Sequence, residues 1–178
     1  MPALVIRPSV DTDVDAIAAI YAHHVHHGSA TFETEAPDDT EMRRRRDDVL
    51  DKGLAWLVAE AGGDVVGYAY ASPFRPRRAY RFCLEDSIYL RPDAAGRGIG
   101  RALLAELIAR CTAAGARQML AVIGDSANQA SIGLHRACGF VACGQLDAAG
   151  WKFGRWIDVV LMQRALGDGA RSVPGDAR

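Results

Sequence analysis

Gly96, Gly98 and Gly100 alternate with Arg97, Ile99 and Arg101. The stretch follows a short apolar run, Ser87-Ile88-Tyr89-Leu90, that Pro92 and Asp93 break, which reads as the end of a strand. Ile99, Leu103, Leu104, Leu107, Ile108 and Cys111 come next at three- and four-residue spacing and form one apolar helical face. The first N–H groups of a helix lack internal partners and carry the positive end of its dipole. Glycines let a ligand approach that backbone closely. A phosphate or pyrophosphate fits such a cradle, and the Arg97 and Arg101 side chains can add charge-assisted bonds. A dinucleotide fingerprint would need a third glycine where Arg101 stands, and no Gly-Lys-Ser or Gly-Lys-Thr occurs for a nucleoside-triphosphate loop.

The elements that would hold this loop follow from pattern. Leu4-Val5-Ile6 is a first strand. Thr12 and Asp15 have capping spacing for a helix with an apolar face of Val14, Ile17, Ala18, Tyr21 and Val25, ended by Gly28. Pro37 suits the first turn of a second helix and Gly53 its end. Residues 56–59 and 65–70 pair as strands around Gly62-Gly63-Asp64. A basic loop over 73–78, a strand over 81–90, the glycine loop with its helix, and a strand over 119–123 follow. A helix after Asn128, with Ser126 and Gln129 at capping-box spacing, and strands over 140–146 and 156–162 complete the order. Residues 167–178 are small and polar and read as a disordered tail after a domain over 1–166.

Gly98-Ile99-Gly100 also fits the second half of the coenzyme A loop [QR]-x-x-G-x-[GA]. Residues 128–140, Asn-Gln-Ala-Ser-Ile-Gly-Leu-His-Arg-Ala-Cys-Gly-Phe, match the pattern N-x-x-[SA]-x-x-[LF]-[YH]-x-x-x-G-[FY]. With Glu85 after an aromatic-rich strand, Phe32-Glu33-Thr34-Glu35 near the start, Trp156-Ile157-Asp158 and Gln163-Arg164 near the end, the chain resembles the GCN5-related N-acetyltransferases (GNAT), in their phosphinothricin acetyltransferase branch. The likeness runs from about Ile6 to Arg164. Ala95 departs from the usual Gln or Arg but keeps its backbone N–H.

The resemblance implies an α+β fold, a mixed sheet of about seven strands flanked by about four helices, and acetyl-CoA as co-substrate with no metal. It implies that Ile88, Tyr89, Leu90, residues 96–101 (Gly96, Arg97, Gly98, Ile99, Gly100, Arg101) and Asn128 hold the cofactor. Backbone N–H groups along 88–90 would polarise the thioester carbonyl. Glu85 is the candidate general base, taking a proton from the acceptor ammonium before attack; strand alternation puts Asp86 on the other face, against both carboxylates serving one substrate. His135 stands where much of the family has a Tyr general acid, and equally suits a buried core histidine. Phe32, Phe74, Arg75, Arg77 and Tyr80 match the substrate neighbourhood, where arginine can fork onto a carboxylate, phosphinate or sulfone and Arg77 is the favoured anchor. A small amino-acid-like amine such as phosphinothricin, methionine sulfone or methionine sulfoximine is the expected acceptor, in a ternary complex. Other amines, a peptide N-terminus, or a sensor that binds coenzyme A without turnover remain alternatives. A homodimer is also implied.

The bulk properties allow this. The chain has 178 residues and a net charge of −1, giving no general case for nucleic acid. Arg43 to Arg46 are flanked by Glu41, Asp47 and Asp48 and read as a solvated helix face. The four cysteines lack CxxC spacing and read as buried, reduced thiols. Met1-Pro2-Ala3-Leu4 does not read as a secretory leader and no apolar run spans a membrane, so a cytoplasmic protein is expected. His23, His24, His26 and His27 allow a two-histidine site on a helix, but cationic imidazoles at a helix C-terminus are the favoured reading.

Overall fold

The computed structural model describes residues 3–175, so the expectations for Met1-Pro2 and for 176–178 lie outside the described residues. The strands are β1 (Leu4–Pro8), β2 (Trp56–Ala61), β3 (Asp64–Pro73), β4 (Cys83–Leu90), β5 (Gln118–Gly124), β6 (Val141–Lys152) and β7 (Arg155–Ala165). The helices are α1 (Val14–His27), α2 (Asp39–Asp51), α3 (Ile99–Ala113) and α4 (Gln129–Ala137). One seven-stranded sheet runs β1-β2-β3-β4-β5-β7-β6, with every neighbour antiparallel except β4 and β5. This is the expected mixed α+β architecture.

Alternating side chains give each sheet face its own core. On one face α1 and α2 bury Val14, Ile17, Tyr21, Val25 and Met42 against Trp56, Val58 and Tyr68. On the other, Leu103, Leu104 and Leu107 of α3 pack with Leu57, Ala69, Met119 and Met162. All three leucines are fully buried, and truncating any of them to Ala costs about 2–5 kcal/mol.

Local chemistry departs from expectation at several ends. Asp13, not Thr12 or Asp15, organises the start of α1: its carboxylate accepts from Val10 N at 2.8 Å and pairs with Arg7 at 2.7 Å. Ser126 does not cap α4; Asn128 does, accepting from Ser131 N. The closing strands run longer than patterned, because Phe153 and Gly154 adopt left-handed conformations and turn β6 into β7. Arg46 is not on a solvated face: it is buried and donates to Ser9 Oγ and Ser9 O. Cys143 is exposed on β6, where the register shifts, unlike buried Cys111 and Cys138. Residues 167–175 form turns against Arg117, which donates to Gly169 O and Ser172 Oγ.

Candidate active site

β4 and β5 pair only from Cys83↔Gln118 to Asp86↔Ala121, and beyond that they part. β3 holds β4 along its whole length, to Gly67↔Leu90, while β7 holds β5 to Gly124↔Val159. The sheet is therefore split. Cys83 O accepts from Phe74 N and Arg91 N donates to Val66 O, both on the β3 side. Alternation then turns the backbone groups of odd-numbered β4 residues toward β3 and those of Ile88 and Leu90 toward the split. Tyr89's amide and carbonyl face β3, and its ring is packed edge-on against Tyr21 at 5.0 Å. Leu90 O is engaged by His24 Nε2 at 2.8 Å.

An open cavity of about 200 Å³ occupies the split, lined by Thr31, Phe32, Glu85, Asp86, Ile88, Asn128 and His135 among others. Both residues line this cavity, but alternation turns the two carboxylates to opposite sheet faces, and the buried Asp86 carboxylate is taken up by His135.

Glu85 is half-buried, with its pKa raised, first by burial, then by Asp86, against the opposing pull of Arg75. Asp86 is buried and its Oδ2 lies 3.0 Å from His135 Nε2. His135 Nδ1 lies 2.8 Å from Ser131 O. A carbonyl can only accept, so Nδ1 carries hydrogen, and one further proton is shared between Nε2 and Asp86. His135 has no free lone pair to take a proton from substrate. Burial pulls its pKa down, but the bond and charge of Asp86 and the Ser131 carbonyl outweigh this, and the net shift is upward. Asp86 Oδ1 is buried and has no hydrogen-bond partner among the described residues.

The glycine loop lies at the start of α3. Gly98 is the N-cap at φ 78°, and an added Cβ there would meet open space, so the backbone conformation rather than crowding favours glycine. Ala102 N donates to Gly98 O, and the earlier amides of the helix lack intrahelical acceptors. Arg97 and Arg101 are exposed beside them, Ile99 and Gly100 buried below. Asn128 caps α4, its side-chain nitrogen donating to Gly124 O at 3.4 Å while the residue borders the cavity.

The five substrate candidates divide. Phe32 borders the cavity. Phe74 and Tyr80 meet edge-on at 5.8 Å, and the Arg75 guanidinium stacks 4.5 Å over Phe74. Arg75 is near enough to oppose Glu85's upward shift; Arg77 is exposed and its carbonyl accepts from Tyr80 N in a short 3-10 turn. The structure thus associates Arg75, rather than Arg77, with the Glu85 carboxylate. Arg75→Ala is expected to raise Glu85's pKa further, moving the acid limb of a kcat/KM profile to higher pH; an unmoved limb would disconnect the two groups. Sequence reasoning missed Asp86 as His135's partner, which no spacing in the chain signals. Among the described residues there is no group of three or more metal-ligating side chains. His23 and His27 sit one turn apart with ring centroids at 4.8 Å.

The sheet splits between two parallel strands, Glu85 borders the opening, and a glycine-rich helix start follows β4. Residues 17–140 match the Acetyltransferase (GNAT) family, and the chain belongs to that family. It is 59% identical over 172 residues to a phosphinothricin N-acetyltransferase of Alcaligenes faecalis, covering 97% of this chain and 87% of that protein. It is 42% identical over 171 residues to an L-methionine sulfoximine/L-methionine sulfone acetyltransferase of Pseudomonas aeruginosa, covering 95% and 98%. A crystal structure of a GNAT superfamily phosphinothricin acetyltransferase from Sinorhizobium meliloti in complex with AcCoA superimposes with TM-score 0.94 at 49% identity, covering 97% of this chain and 94% of that one.

Proposed function

We propose that the protein transfers the acetyl group of acetyl-CoA to the amino group of a small amino-acid-like acceptor of the phosphinothricin, methionine sulfone or methionine sulfoximine type. The observation that carries the reading is the convergence of Glu85 and the β5-facing backbone of Ile88 on one cavity where β4 and β5 part. The names of the relatives supply the acceptor class.

In this reading the pyrophosphate lies on the amides at the start of α3, and the pantetheine arm enters the split and pairs with β4. Glu85 removes one proton from the acceptor ammonium, directly or through water; its raised pKa narrows the gap to the amine. The freed nitrogen attacks the thioester carbon in a ternary complex. The oxyanion that forms is held by a backbone N–H facing the split. Collapse breaks the C–S bond while the second proton on the nitrogen passes to water, leaving the neutral amide and coenzyme A thiolate. His135 and Asp86 form a buried pair carrying one shared proton near the cavity, and the imidazolium charge stabilises the departing thiolate. Arg75, beside Glu85, is positioned to meet the acceptor's anionic tail.

The test is coenzyme A release from acetyl-CoA with phosphinothricin, methionine sulfone, methionine sulfoximine, free amino acids, polyamines and N-terminal peptides. Saturable turnover with the first three supports the reading. Turnover only with other amines discards the acceptor class, and cofactor binding without turnover makes the protein a sensor.

We also propose a homodimer built on β6 and β7. Trp151 and Trp156 stack edge to face at 5.3 Å and are 58% and 61% exposed, with Val141 and Leu146 exposed on the same hairpin. A twelve-residue edge strand with this much bare apolar surface calls for cover. Trp156→Glu is expected to turn a dimer into a monomer in sedimentation; a wild-type monomer would end the proposal. No described helix is long and apolar enough to cross a membrane. The four unpaired cysteines fit a reducing compartment, and we assign the activity to the cytoplasm.

A further inference from the structure

The chain has two lysines, and Lys152, at the end of β6, is 4% exposed. Burying an ammonium is costly unless its protons are used. Two of them are: Lys152 Nζ donates to Gly28 O at 2.9 Å and to Thr31 O at 2.8 Å. The Phe153 ring lies beneath the ammonium at 4.9 Å, a favourable cation–π placement. Burial still drives the lysine's pKa down, against the pull of Glu33. The acceptors belong to the segment between α1 and α2 that supplies Thr31 and Phe32 to the cavity wall.

A second contact from the same strand reaches the same segment. A Cβ added to Gly150 would meet the Phe32 ring at 2.1 and 2.3 Å. The ring therefore rests on bare backbone of β6, and no other residue type leaves room for it. From the other side, Tyr21 OH bonds Thr31 Oγ1 at 2.8 Å and Glu33 at 2.8 Å, and Arg45 holds Glu33 at 2.6 Å. The segment is thus gripped between α1 and α2 on one side and β6 on the other, with Phe32 presented to the cavity.

We propose that Gly150 and Lys152 are specificity-determining positioning residues: together they fix the backbone of 28–32 and set Phe32 as the wall that selects the acceptor's side chain. The inference rests on the acceptor-site reading given above. Neither residue is among those bordering the cavity, so each acts through Phe32 and the loop. Small displacements of such a wall have large kinetic consequences.

Lys152→Met and Gly150→Ala should each raise KM for the sulfone or phosphinothricin acceptor about tenfold or more. KM for acetyl-CoA should stay within about twofold, because the cofactor's contacts lie on β4, α3 and α4. Gly150→Ala should have no further effect on acceptor KM once Phe32→Ala is present, since the two act as one unit. Equal rises in both KM values, or independent effects of Gly150→Ala and Phe32→Ala, would overturn the inference. Backbone hydrogen exchange over 28–32 needs no acceptor: faster exchange in Lys152→Met is expected, and unchanged exchange would dismiss the clamp. If the wild-type enzyme ignores the sulfone and phosphinothricin group, the acceptor reading fails alone, and the exchange result still decides the clamp.

Discussion

Glu85→Gln is expected to lower kcat about 10²–10⁴-fold with acetyl-CoA affinity unchanged. The substitution keeps size and shape but removes the site that accepts the ammonium proton. The affinity should hold because the cofactor's proposed contacts are backbone amides on β4 and at the start of α3, none of which the Gln side chain disturbs. The pH dependence is a second signature. Glu85's pKa is raised by burial and by Asp86, so its basic form appears at higher pH than that of an ordinary glutamate. Wild-type kcat/KM should therefore climb with pH through that raised value, and the limb should vanish in Glu85→Gln. Single-turnover and steady-state rates across the acid range measure both. A variant that keeps wild-type kcat would remove Glu85 from the proton path.

Asp86→Ala is expected to destabilise the fold by about 3–5 kcal/mol, the loss typical when one member of a buried pair is removed. The deletion leaves His135 Nε2 without its partner at 3.0 Å in a buried site. Asp86→Leu combined with His135→Leu should recover much of the loss, because two apolar side chains leave no charge unpaired. Urea denaturation of the single and double variants separates these outcomes. A single variant within about 0.5 kcal/mol of wild type, the range of an ordinary surface change, would mean the pair carries no such energy. The pair also gives stability a pH signature. His135's pKa is higher in the folded protein than in the unfolded chain. Its contribution is complete below the ordinary imidazole pKa and is lost as pH rises through the raised folded value. The wild-type minus His135→Gln difference should be largest below the ordinary imidazole pKa of about 6.5 and shrink as pH rises above it.

The parts of this protein set by local pattern are legible in the sequence. The apolar face of α1 and the face of α3 follow directly from spacing, and the Gly62-Gly63 hairpin from turn chemistry. The glycine loop was readable because a helix start and its glycines are contiguous. What escaped was non-local. Asp86 and His135 are 49 residues apart in sequence, and only the order of β4, β5 and α4 brings them together. Lys152 and Thr31 are 121 apart. The Arg43–Arg46 run looked uniform, yet its members differ because helix rotation aims Arg46 at Ser9 and Arg45 at Glu33. Arg77 was favoured over Arg75, but an irregular loop has no period to fix which side chain lies toward Glu85.

The split between β4 and β5 has a consequence for how long the protein lasts. Among the described residues, four strand pairs, from Cys83↔Gln118 to Asp86↔Ala121, join β1–β4 to β5–β7 across the sheet. A pantetheine arm lying in the gap would act as a splice, supplying rungs that the polypeptide lacks. Anything that binds only the native state stabilises it by mass action, about 2.7 kcal/mol at a hundred times its dissociation constant. The empty chain should open along this seam more readily than the filled one, and saturating acetyl-CoA should slow its proteolysis in solution.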